Sequence, residues 1–189
     1  MSPLETELHT VEVIIESNAA TRLTDALTLL WVKNEKQLRK LFVFIAYQSS
    51  NLRRLTPVLI SDAVAHHGRL YSRHFIKGID EIYYKPFRDV FGAEYTRLHA
   101  EMQRIRRTVR NKILHGQNTG LNLQESNLEK EIAILREWIS CVYYGFKSEI
   151  AFGGFERKTF QKSKSVDFRH RLRIQFTSVA DFSAYLQSL

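Results

Sequence analysis

The stretch Arg104–Gly116, RIRRTVRNKILHG, holds five cationic side chains and no acidic one, and it closes on a histidine and a glycine. It ends a long amphipathic segment, so its charges have a defined direction. At about 100° per residue, Tyr95, Leu98, Met102, Ile105, Val109 and Ile113 share one narrow stripe suited to a core. Arg104, Arg107, Arg110, Asn111, Leu114 and His115 take the opposite arc, with Arg110 and His115 at its edges, about 140° apart. The spacing predicts a helix over about 93–115 that buries one face and presents an arginine, an asparagine and a histidine on the other. Gly116 suits the position just past its end, where a left-handed backbone is common.

Working outward, a polar connection over 116–125 leads to Ser126, which with Glu129 three residues on reads as a capping box. Leu128, Ile132, Leu135, Ile139, Val142, Phe146 and Ile150 then make a second long stripe. Two long helices, a short polar loop and matched apolar stripes describe an antiparallel pair. Upstream, Leu23, Leu27, Leu30 and Trp31 share a helical face. Asn34 with Gln37 reads as a new cap, opening a further helix through Leu38, Leu41, Phe42, Ile45 and Leu52. Thr56-Pro57 signals a shorter helix to about residue 67. Phe75, Ile79, Ile82 and Tyr83 keep helical spacing, weakened by Gly78 and interrupted at Pro86. Residues 1–16 read two ways, as alternating Val11, Val13 and Ile15 or as a helix. The fold class is all-α, a helical bundle over 1–152.

After Gly153-Gly154 the character changes. Residues 155–173 hold seven Lys or Arg against Glu156 and Asp167. Leu172, Ile174 and Phe176 alternate like a short strand, and Ser178 with Asp181 reads as the start of a terminal helix. Residues 153–189 are expected to form a basic appendage.

Composition bounds the partners. The chain has 189 residues, 44% of them hydrophobic, and a formal charge of +8. That balance favours a folded domain with polyanion partners, nucleic acid first. A single cysteine, Cys141, excludes an internal disulfide and fits a reducing cytoplasm; it is expected to pack in the core rather than act as a nucleophile. No leader and no apolar run of about 18 residues is evident, so no membrane partner is expected. His66, His67 and His74 lack a carboxylate or cysteine to complete a metal site, no glycine-rich phosphate loop is present, and no cofactor is expected. Trp31 and Trp138 are read as core.

RNKILHG resembles the signature of the HEPN superfamily: an arginine, four to six intervening residues and a histidine, often with a polar residue directly after the arginine. Here the match is Arg110, Asn111 and His115. The resemblance implies a HEPN-like helical bundle and a metal-independent endoribonuclease. Two copies would then place their Arg110 and His115 in one composite cleft. The chemistry is consistent with that. RNA carries its own nucleophile, the 2′-hydroxyl, and histidine serves as acid or base near neutral pH. Arginine offers phosphate a planar fork of donors. Asn111 would orient the arginine or the phosphate, and Leu114, apolar on the outward arc, would suit a homodimer contact. Arg104, Arg106, Arg107 and Lys112 are the expected RNA-binding patch. Toxin and antiviral-defence roles, with an antitoxin or regulatory protein as partner, follow only from family membership. One toxin subset carries a tyrosine two residues past the histidine, where this chain has Gln117. The alternative readings are a catalytically silent HEPN-like dimerisation or partner-binding module and a basic DNA-binding helical protein.

Overall fold

In the computed structural model the described residues are 1–110, 124–156 and 169–189. The helices are α1 (Pro3–Glu16), α2 (Arg22–Tyr47), α3 (Pro57–His66), α4 (Ser72–Ile82), α5 (Phe87–Phe91), α6 (Tyr95–Ile105), α7 (Glu125–Ile150) and α8 (Val179–Ser188). A π-helical turn, Arg106–Arg110, continues α6. Among the described residues there is no named strand, and the protein is all-α.

The central element is α2, not the basic segment. From Leu38 onward every residue but Arg39 and Lys40 is buried, through Phe42, Phe44 and Tyr47. A helix apolar on all sides has to be surrounded, and α1, α3, α4 and α7 pack around it. Sequence reasoning breaks this helix at Asn34; the structure does not. Asn34 and Gln37 lie inside it and look across to α7. Trp138 Nε1–H donates to Asn34 Oδ1 at 2.9 Å. Gln37 Nε2–H donates to the carbonyls of Ile139 at 3.2 Å and Gly153 at 2.9 Å. The two polar residues that resemble a cap are a hydrogen-bonded seam between the longest helices.

Elsewhere the local signals hold to differing degrees. The ambiguous N-terminus is α1, started by a capping box in which Glu5 N–H donates to Ser2 Oγ and Ser2 N–H to Glu5 Oε2. Pro57 opens α3, and Pro86 ends the 83–86 link ahead of α5. Gly78 is tolerated in α4 because a Cβ there would lie 2.5 Å from the Phe42 ring. The Ser126 capping box is not formed: α7 starts two residues earlier, at Glu125, with Gln124 at its cap. The stripe from Leu128 to Ile150 is buried as expected. Arg97 pairs with Glu137 and Arg104 with Glu131, so α6 and α7 run antiparallel.

Residues 172–176 do not form a strand. A single antiparallel bridge joins Leu172 to Tyr83, flanked by hydrogen bonds from Tyr84 N–H to Arg171 O and from Arg173 N–H to Ile82 O. Ser178 caps α8, accepting from Asp181 N–H at 3.1 Å. Phe176, Phe182 and Leu186 are buried in the same core as α2, with the Phe182 ring 5.8 Å from that of Phe42. The described part of the basic segment is thus seated on the bundle.

Candidate functional site

The basic end of α6 is built on a buried stripe: Leu98, Met102, Ile105 and Val109 are all in the core. At Arg106–Arg110 the expected α-helix is widened into a π turn, and the rest of its expected span, 111–115, lies outside the described residues. Within this turn the Thr108 hydroxyl donates to Arg104 O at 2.9 Å. Such widened turns are frequent at functional sites.

The arginines of this segment go to different places. Arg104 sits over α7, where its Nη1 and Nη2 donate to the two oxygens of Glu131, both at 2.7 Å, and its Nε donates to Glu101 at 2.8 Å. These carboxylate hydrogen bonds raise its already high pKa. Sequence reasoning leaves Arg104 open to a polyanion; the structure turns it onto its own carboxylates, because Glu131 is buried on the facing helix. Arg107 is exposed, with Nε donating to Gln103 O. Arg106 turns inward, its Nε buried and without a hydrogen-bond acceptor. Arg110 closes the π turn. Asn111, Lys112, Leu114 and His115 lie outside the described residues.

Arg106 borders a cavity of about 110 Å³ between α2, α4, α6 and α7. Trp31, Leu38, Met102 and Trp138 form its apolar wall, and Ser72, Arg73, His99, Gln103 and Arg106 bring polar atoms to it. His99 stacks on Tyr95, with ring centroids 5.1 Å apart, and its Nε2 is 3.3 Å from Gln103 Nε2. Burial, followed by the Arg106 charge, pushes the His99 pKa below the usual imidazole range, so the ring is neutral at pH 7. Sequence reasoning missed His99, Ser72 and Arg73 as site residues. A signal for part of the group was present, since positions 99, 103 and 106 share one helical face. Arg73 and Ser72 come from a separate helix, a juxtaposition that periodicity cannot give.

A larger cavity, about 390 Å³, lies between α2 and α3. It is lined by Val32, Val43, Ala65 and Phe152, together with both acidic and basic side chains. Its charges do not converge on one sign.

Among the described residues no group of three or more His, Cys, Asp or Glu could hold a metal ion. His66 Nδ1 lies 2.7 Å from Asp62 O, and His74 Nδ1 accepts from Tyr71 N–H at the start of α4. Cys141 is half-buried against the core, and burial raises its thiol pKa. Trp31 and Trp138 are buried. None of the described helices is long and apolar enough to cross a membrane.

The described residues define an all-α protein in which the cationic side chains at the end of α6 diverge, Arg104 onto α7, Arg106 inward and Arg107 to solvent. No family model, curated protein or solved structure matches the chain.

Proposed function

We propose that this protein is a HEPN-type, metal-independent endoribonuclease that works as a homodimer, each copy contributing Arg110, Asn111 and His115 to one composite site. The reading rests on the spacing of those three residues directly after a helix whose apolar face, Leu98 to Val109, is buried. One His115 removes the proton from the 2′-hydroxyl as it attacks phosphorus. The other His115 protonates the departing 5′-oxygen, giving a 2′,3′-cyclic phosphate and a 5′-hydroxyl end. The two Arg110 side chains stabilise charge on the pentavalent phosphate, Asn111 orients them, and Leu114 packs at the dimer contact. Exposed Arg107, with Lys112, tracks the RNA backbone and makes binding salt-dependent, whereas Arg106, expected in this patch, turns inward and takes no part. Arg104 holds α6 on α7. A toxin or defence effector restrained by a partner protein fits such an activity.

The test is RNA cleavage by the purified protein in EDTA. Cleavage is expected, and His115→Ala is expected to lower the rate by roughly 10²–10⁴-fold while leaving the helical circular dichroism unchanged. Undiminished cleavage by that variant overturns the assignment. A protein that dimerises but turns over no RNA is instead a catalytically silent HEPN-like module.

A further inference from the structure

Some arginines in this chain are answered by carboxylates. Arg22 pairs with Glu125, Arg97 with Glu94, Arg104 with Glu131 and Arg171 with Glu149. Arg73 and Arg106 are not among them, and Arg73 Nε donates instead to His74 Nε2 at 3.0 Å. They border the same cavity, no carboxylate lines it, and neither has a carboxylate partner among the described residues. Arg106 Nε and Ser72 Oγ are both buried there without a hydrogen-bond partner. A buried donor left unmatched is costly. Water could accept the hydrogen bonds, but it would leave the half-buried Arg106 charge uncompensated beside an apolar wall. An anion answers both needs. Ser72 and Arg73 are also the first two residues of α4, so the positive end of that helix adds to the same field.

Size and charge narrow the class of anion. A cavity of about 110 Å³ admits a tetrahedral oxyanion with some water, whose share of liquid volume is about 30 Å³ per molecule, but not a whole nucleotide. Two fixed cations and a hydroxyl match a doubly charged group with several acceptor oxygens better than a carboxylate. We infer that the cavity between α4 and α6 is a binding site for a phosphate monoester group, held by Arg73, Arg106 and Ser72. The source is either inorganic phosphate or the terminal phosphate of a larger molecule. This inference is independent of the nuclease reading and uses neither Arg110 nor His115.

Both tryptophans of the chain, Trp31 and Trp138, line the cavity, so their fluorescence reports occupancy directly. The full chain is titrated with inorganic phosphate at constant ionic strength set by sodium chloride. Parallel titrations use a short DNA oligonucleotide with a 5′-phosphate and the same oligonucleotide with a 5′-hydroxyl. A saturable fluorescence change with phosphate is expected, weakened about tenfold or more in Arg73→Gln and in Arg106→Gln. Arg88→Gln, exposed on α5, is expected to leave the affinity unaltered. Arg73 is also exposed, so its variant keeps the test open if Arg106→Gln fails to fold. Tighter binding of the 5′-phosphorylated oligonucleotide than of its 5′-hydroxyl counterpart and of inorganic phosphate identifies a chain end as the source. Equal affinity for free phosphate and the phosphorylated end identifies the free ion. No saturable response to either phosphate, or a response that both arginine variants retain unchanged, overturns the inference.

Discussion

At the scale of single residues, the informative positions are polar groups placed where the chain is otherwise apolar. Asn34 is buried in α2 and takes the indole N–H of Trp138. Asn34→Leu keeps the volume but strands that donor in the core. It is expected to cost about 1–3 kcal/mol, the penalty of an unmatched buried group. An unchanged urea midpoint would show that the seam between α2 and α7 contributes nothing. The same residue marks a limit of reading by pattern. An asparagine three positions before a glutamine fits a helix start and a helix–helix hydrogen-bond pair equally well, and only the partner across the interface decides. Arg104 teaches the same lesson, since nothing within residues 104–116 reveals that Glu131 lies opposite.

Helices were more legible than their junctions. The stripes of α6 and α7 could be read because 3.6-residue periodicity is a property of one segment. Ser178 and Pro57 could be read because caps and first-turn prolines are also local. The widened turn at Arg106–Arg110 could not, because the apolar residues Ile105 and Val109 keep ordinary helical spacing through it. The candidate catalytic residues were named from the motif alone, whereas the phosphate cavity needed two helices brought together. Contacts between elements also explain the close approach of α5 to α7. A Cβ on Gly145 would overlap the carbonyl oxygen of Val90, a main-chain atom that cannot rotate away. Gly145→Ala is therefore expected to push the helices apart and cost roughly 1–3 kcal/mol or more. Chemical denaturation checks this, and a neutral result would mean that α5 shifts freely.

For the molecule as a whole, the sign of its pH dependence follows from groups distributed across the bundle. Burial lowers His99 and His74, with nearby cations adding to it. Burial raises Glu7 and Glu149, but hydrogen bonds outweigh it: Lys36 and Lys33 on Glu7, and Lys85, Tyr83 and Tyr84 on Glu149. Both carboxylates end below their usual range. All four groups bind protons less readily folded than unfolded, so the unfolded chain gains protons first on acidification. Stability is expected to fall once pH drops below about 6.5, and again below about 4.5, the ordinary values for histidine and glutamate. Asp80 runs the other way, its carboxyl raised by burial. Thermal melting across pH 7 to 4 measures the sum, and a melting temperature independent of pH would refute it. His99→Gln should flatten part of the first decline.

The position of α2 has a consequence for how the chain is made. As the ribosome releases the polypeptide, Phe42 and Phe44 emerge more than a hundred residues before Phe152 and Phe182, which cover this helix. Until then the nascent chain carries an uncovered aromatic surface, which invites chaperone binding or clumping.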